Sequence, residues 1–129
     1  KSMKQAFIDL KIEDVKRNFV LLDREPVGEL IERLSKRKSP DIIAIDSLQY
    51  SGLTIQSYKT LVNRFRNKLF ILISHADGRN PSGRVASSIR FDAMVKIRVE
   101  GYRAFPVSRY GGGEPYVIWD AGSIDYWGI

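Results

Sequence analysis

The 129-residue chain contains no cysteine and a single histidine, His75. Disulfides, thiolate metal sites and a cysteine nucleophile are thereby excluded, and a zinc site built on two histidines has no second ligand. No apolar run approaches the roughly 18 residues needed to cross a bilayer, so no membrane partner is expected. The first ten residues are interrupted by charge too often to form a signal peptide. The lack of cysteine points to a bacterial, archaeal or viral cytoplasm. There is also no initiator methionine, which reads as a piece of a longer protein. What is present is an ordinary globular mixture, 43% hydrophobic and 28% charged, enough for one domain spanning residues 1–129. The net charge of +6 favours an anionic partner such as nucleic acid or nucleotide phosphate.

Apolar spacing sets the order of elements. Ser2 is positioned to cap a short helix carrying Met3, Phe7 and Leu10. Residues 19–22 form an apolar run ending at Asp23 and read as a buried strand. Pro26 suits the first turn of a helix whose stripe is Val27, Leu30, Ile31 and Leu34. A strand over 41–45 follows, then a helix capped by Ser57 with Tyr58, Leu61, Val62 and Phe65 on one face. Another strand covers 69–73. Short apolar strands alternating with helices imply a parallel α/β sheet with right-handed crossovers. Beyond a polar loop at 77–83 come a short helix at 84–89 and an alternating strand at 94–100. A hairpin over 102–109 and 115–119 follows, turning at Gly111, Gly112 and Gly113. Pro106 has no N–H and needs an edge or a bulge. Tyr126 and Trp127 are expected to pack the chain end, and most of the aromatics in this half to be core.

Ligands of open parallel α/β sheets bind beyond the carboxyl ends of the strands. Three runs here end in polar residues, at Asp23, at Asp46, and at Ser74, His75 and Asp77. A carboxylate in such a position can hold Mg²⁺, and a Ser or His one strand over can touch phosphate. Asp also follows strands simply as a turn former, which is the plainer reading of Asp23. Arg79, Arg84 and Arg90, in or after the polar loop, suit contact with a nucleic-acid backbone or serve only as solvated charge. Arg103 and Arg109 share strand parity with Phe105 and Val107 between them, marking an interface face or a cross-strand partner for Glu114.

The segment Asp41-Ile-Ile-Ala-Ile-Asp46-Ser-Leu-Gln49 resembles the Walker B strand of RecA-like ATPases, particularly the DnaB-like and RadA-like branches. The strand ending at Ser74-His75 is similar to the family's sensor strand. The loop, the Asp92-Ala93 pair and the glycine-interrupted hairpin follow in the family's order. The resemblance runs over about residues 19–119. It implies a three-layer RecA-like sheet, mostly parallel with a C-terminal antiparallel hairpin, truncated at the N-terminal side. It further implies Mg²⁺ and ATP as cofactors held at Asp46 and Gln49, and Ser74 and His75 near the γ-phosphate. Arg109 would reach a neighbour's nucleotide in a homo-oligomer, and Arg79, Arg84 and Arg90 would contact single- or double-stranded DNA. One family feature is missing, since Val107 stands where a lysine is usual. A phosphate-binding GxxxxGK(S/T) loop is also absent from these 129 residues, so the chain alone is expected not to hydrolyse ATP. Two other readings remain open: a Mg²⁺-dependent nuclease using Asp23, Asp46 and Asp77, and a non-catalytic nucleic-acid-binding or oligomerisation module.

Overall fold

The computed structural model describes residues 3–11 and 18–129. The protein is a mixed α/β molecule with small sheets. Helix α1 (Met3–Asp9) forms where expected, while Ser2, its anticipated cap, lies outside the described residues. The run at 19–22 is not a strand. Among the described residues no neighbour completes a hydrogen-bond ladder with it, its side chains are exposed, and Phe19 meets the Phe7 ring edge-on at 5.0 Å. Apolar composition alone does not make a strand without a paired edge.

Helix α2 (Val27–Leu34) starts from Pro26, which occupies the N-cap, and Glu25 pairs with Arg33 at 2.9 Å. Strand β1 (Ile42–Asp46) follows, then helix α3 (Ile55–Arg64) and strand β2 (Leu69–Ile73). The cap of α3 is Thr54, not Ser57. Ser57 is instead the third helical residue and closes a reciprocal capping box with Thr54, bonding at 3.0 and 2.9 Å. Strands β1 and β2 pair in parallel, Ile42 beside Leu69 through to Asp46 beside Ile73. This is two parallel strands where three were expected.

The core lies on one side of that pair. Leu34 of α2, Ile43 of β1, Tyr58 and Leu61 of α3, and Ile89 further on close around it, with Phe70 and Leu72 packed against them. Leu61 is 1% exposed. Burial of each such side chain contributes about 1.5–3 kcal/mol. The other face is bare. Ile42, Ala44 and Asp46 of β1 and Leu69, Ile71 and Ile73 of β2 all point to it and are exposed.

After β2 the chain makes a minimal hairpin, β3 (Ala76–Asp77) and β4 (Asn80–Pro81), then helix α4 (Arg84–Asp92). A three-stranded antiparallel sheet of β5 (Val95–Glu100), β6 (Arg103–Ser108) and β7 (Tyr116–Val117) follows, and the chain ends in helix α5 (Asp120–Trp127). Pro106 sits in the middle strand, but β7 pairs only with Arg103 and Ala104. The β7-side edge of β6 is therefore open at Pro106. Gly113, at φ 129°, lies where an added Cβ would meet the Pro106 carbonyl oxygen at 2.7 Å.

The alternation of β5 is as read, and its apolar face is the exposed one. Val95, Ile97 and Val99 are exposed, whereas Lys96, Arg98 and Glu100 are half-buried. Helix α5 covers the charged face. Trp127 meets the Phe105 ring at 5.9 Å, its Nε1 donates to the Gly101 carbonyl at 3.0 Å, and the Arg103 guanidinium donates to the Ser123 hydroxyl. Arg98 stacks over Phe105 at 4.1 Å and pairs with Glu100. Arg103 thus finds Ser123 rather than Glu114. Most aromatics of this half are not core: Tyr110, Tyr116, Trp119 and Tyr126 are all exposed. No described helix is long and apolar enough to cross a membrane.

Candidate functional site

The parallel register carries Asp46 and Ser74 to the same end of the sheet, one at the tip of each strand. Beyond β1 the chain turns through Ser47 and Leu48, and the Leu48 N–H donates to the Ile73 carbonyl at 2.8 Å, extending the ladder by one bond. Gln49 then projects across both strand ends. Its Nε2 donates to the Ser74 Oγ and to the Ser82 carbonyl, each at 2.8 Å, and its Oε1 accepts the His75 N–H at 3.0 Å. Ser74 in turn donates to the His75 carbonyl at 2.8 Å, and that carbonyl also accepts the Ser82 N–H at 2.8 Å. One amide therefore ties β1, β2 and the base of the β3–β4 hairpin together.

This network changes the reading of two residues. Both N–H groups of the Gln49 amide are used within the protein, which leaves an acceptor lone pair but no free donor for a nucleotide. The Ser74 hydroxyl likewise donates inside the network. The groups that remain open are the Asp46 carboxylate and the His75 ring, both exposed. The His75 ring meets the Tyr50 ring edge-on at 5.6 Å, and Tyr50 is itself 82% exposed. Between Asp46 and Leu48, the Ser47 hydroxyl is buried with no hydrogen-bond partner among the described residues. The Asp46–Ser47 peptide bond is cis.

The arginines lie on other elements. Arg79 is in the β3–β4 turn, and Arg84 opens α4 beside a shallow cleft of about 280 Å³ shared with Gln49 and Ser82. Arg90 donates to the Asn80 side chain at 3.0 Å and so fastens the hairpin to α4. Arg109, past the end of β6, donates to the Asp92 carbonyl at 3.3 Å and belongs to the β6–α4 junction, not to the Asp46 end. The structure does not gather the three carboxylates of the nuclease reading. Asp23 is exposed and near Arg24 at 3.9 Å, and no group of three Asp, Glu, His or Cys able to hold a metal exists among the described residues.

Neither a protein-family model, nor a curated protein, nor a solved structure matches the chain.

Sequence reasoning missed the Tyr58–Asp92 contact. The phenol of Tyr58, from α3, donates to Asp92 Oδ2 at 2.6 Å at the end of α4. Burial, then the hydrogen bond and charge of Asp92, raise the Tyr58 pKa well above the usual tyrosine range. Its signal in the sequence was slight, because Tyr58 falls on an apolar stripe and reads as plain core.

Proposed function

We propose that this chain is the Walker B-to-hairpin portion of a RecA-like P-loop ATPase core, of the DnaB-like or RadA-like branch, working on DNA. The observation that carries the reading is the exposed Asp46 carboxylate at the carboxyl end of β1, with Ser74 and His75 one strand over. Asp46 fits a hard divalent cation, because its oxygens are exposed and none of the hydrogen bonds described above engages them. When bound, Mg²⁺ on a nucleotide would neutralise phosphate charge. Asp46 would hold that ion, and His75 would face the terminal phosphate. The unpaired Ser47 hydroxyl supports a functional reading of this strand end, since buried orphan hydroxyls are rare.

Gln49 takes a different part from the one its position suggests. It is a positioning residue, joining the Asp46 strand end to the hairpin that carries Arg79. Arg79, Arg84 and Arg90 would contact DNA, and Arg109 would act toward a neighbouring subunit. The bare apolar faces also support the reading. Parallel sheets occur almost only with both faces covered, and here helices cover one. A three-layer sheet, with a phosphate-binding loop supplied by another segment or chain, would supply the second cover. The chain alone would not turn over ATP.

The test is ¹⁵N spectroscopy of the protein in millimolar ATP with Mn²⁺ in place of Mg²⁺. The reading expects paramagnetic broadening centred on Asp46 and the neighbouring strand end, lost in Asp46→Asn. Broadening shared equally by Asp23, Asp46 and Asp77, or none near Asp46, overturns it.

A further inference from the structure

The positive surplus of the chain is concentrated at the end of the β1–β2 sheet opposite to Asp46. The connection from α2 to β1 carries Lys36, Arg37 and Lys38. The end of α3 and its connection to β2 carry Arg64, Arg66 and Lys68. Because β1 and β2 start in register, Ile42 beside Leu69, both connections arrive at one edge. They are also fastened to each other. Lys68 Nζ donates to the Ser39 hydroxyl and the Pro40 carbonyl, each at 2.8 Å, and the Leu69 N–H donates to the Asp41 carbonyl at 2.8 Å.

Across residues 35–41 and 63–69 there are six cations and one carboxylate, Asp41, a surplus of five where the whole chain has +6. Five of the six are exposed and Lys68 is half-buried. None forms an ion pair among the described residues. The hydrogen-bond partners of Lys68 are neutral oxygens, so no carboxylate is paired with it there. The strand length separates this edge from Asp46 by roughly 15 Å.

We propose that this edge binds the phosphate backbone of duplex nucleic acid, independently of sequence. Asn63, Asn67 and the six cations are the side-chain types that contact phosphate. The only aromatic ring within the two segments, Phe65, is buried, so no stacking platform for single-stranded bases exists there. Within the two segments Leu69 is the one large apolar side chain that is exposed, and with Ile42 beside it this edge offers two aliphatic side chains against six cations, too little to anchor a membrane or to centre a protein interface. The proposal does not rest on the nucleotide reading, because it uses none of the strand-end residues and none of the hairpin arginines.

The test is fluorescence anisotropy with a labelled duplex of about 25 base pairs, read from 25 to 200 mM NaCl. Neutralising three to five phosphates predicts a log–log salt slope of about −2.7 to −4.5. Lys36→Glu/Arg37→Glu/Lys38→Glu and, separately, Arg64→Gln/Arg66→Gln are each expected to weaken binding at least tenfold at low salt. The slope should flatten by about 0.9 for each contact removed. Lys36→Arg/Lys38→Arg should keep both, and circular dichroism checks that each variant is folded. Wild-type affinity and slope in both edge variants overturns the proposal. So does tighter binding to the single strand, or to phosphatidylserine vesicles, than to the duplex. Loss of binding in Arg79→Gln/Arg84→Gln/Arg90→Gln with no loss in the edge variants overturns it too. None of these outcomes bears on Mn²⁺ broadening at Asp46.

Discussion

Replacing Gln49 with Ala removes the side chain that holds three pieces of backbone together. Two donated bonds and one accepted bond disappear, to Ser74, Ser82 and the His75 N–H. A net hydrogen bond is worth about 0.5–1.5 kcal/mol. The exposed position of Gln49 puts these at the low end, so the sum is about 2 kcal/mol. That loss should appear locally. The β3–β4 hairpin has only two paired positions, and its remaining ties are the Ser82 N–H to the His75 carbonyl and Arg90 to Asn80. Amide hydrogen exchange reads the opening directly, and about 2 kcal/mol corresponds to roughly 30-fold faster exchange at Ser82. The Leu48 amide, bonded to the Ile73 carbonyl, lies on the β1–β2 ladder and should not change. Gln49→Glu separates the parts. A carboxylate still accepts from His75 but cannot donate to Ser82, so His75 should stay protected while Ser82 is released. Unaltered exchange at Ser82 in both variants would refute the idea that Gln49 clamps the hairpin.

Three further expectations concern stability. Because the Tyr58 pKa is raised in the folded state, the folded protein holds its phenol proton where the unfolded chain releases it. The contribution is full below about pH 10 and is lost as pH rises from there through the folded value. Urea titrations from pH 8 to 11 should show that decline in wild type and a smaller one in Tyr58→Phe, which should also cost about 1–2 kcal/mol at neutral pH. Ser47→Ala removes an unpaired buried hydroxyl and should be neutral or stabilising by up to about 1 kcal/mol. A loss of more than that in thermal unfolding would mean the hydroxyl is satisfied. Ile71→Thr and Ile97→Thr, on the bare faces, should change stability by no more than about 0.5 kcal/mol and reduce self-association in light scattering. Leu61→Ala should cost about 2–5 kcal/mol, and equal costs at all three would show that the faces are not bare.

The sequence was a good guide where local signals and tertiary packing agree. β2 falls at residues 69–73 as expected, β1 is displaced by one residue, α2 and α3 form on the stripes that Leu34 and Leu61 bury, and α4 starts at Arg84 as expected but runs to Asp92, three residues past the expected end at Ile89. It failed where a partner decides the outcome. Residues 19–22 have the composition of a strand but join no edge among the described residues, and the alternation of β5 marks two faces without saying which one α5 would cover. The cap of α3 was misplaced by three residues, because Thr54 and Ser57 carry the same chemistry and only the backbone geometry assigns their roles. Asp46, Ser74 and His75 were legible as strand ends. The internal use of Gln49 was not, since nothing in the spacing joins residue 49 to residue 82.

Asp46 shares a face with Ile42, Ala44 and the exposed side of β2, so the candidate site opens onto the same surface that lacks a cover. These two features constrain each other. A carboxylate at the edge of an exposed apolar face is solvated by water on every side, where an opposite charge at 4 Å is worth only about 1 kcal/mol. A layer laid over Ile42, Ile71 and Ile73 would exclude that water, and at an effective dielectric near 20 the same pair would be worth about 4 kcal/mol. A cover would therefore strengthen the attraction between Asp46 and a cation, but it would also withdraw both from water, so an ion would gain only where further oxygen ligands, such as a nucleotide's phosphates, replace that hydration. The polar network behind the carboxylate is already assembled through Gln49, so a cover would add a low-dielectric wall to a strand end whose hydrogen bonds are fixed.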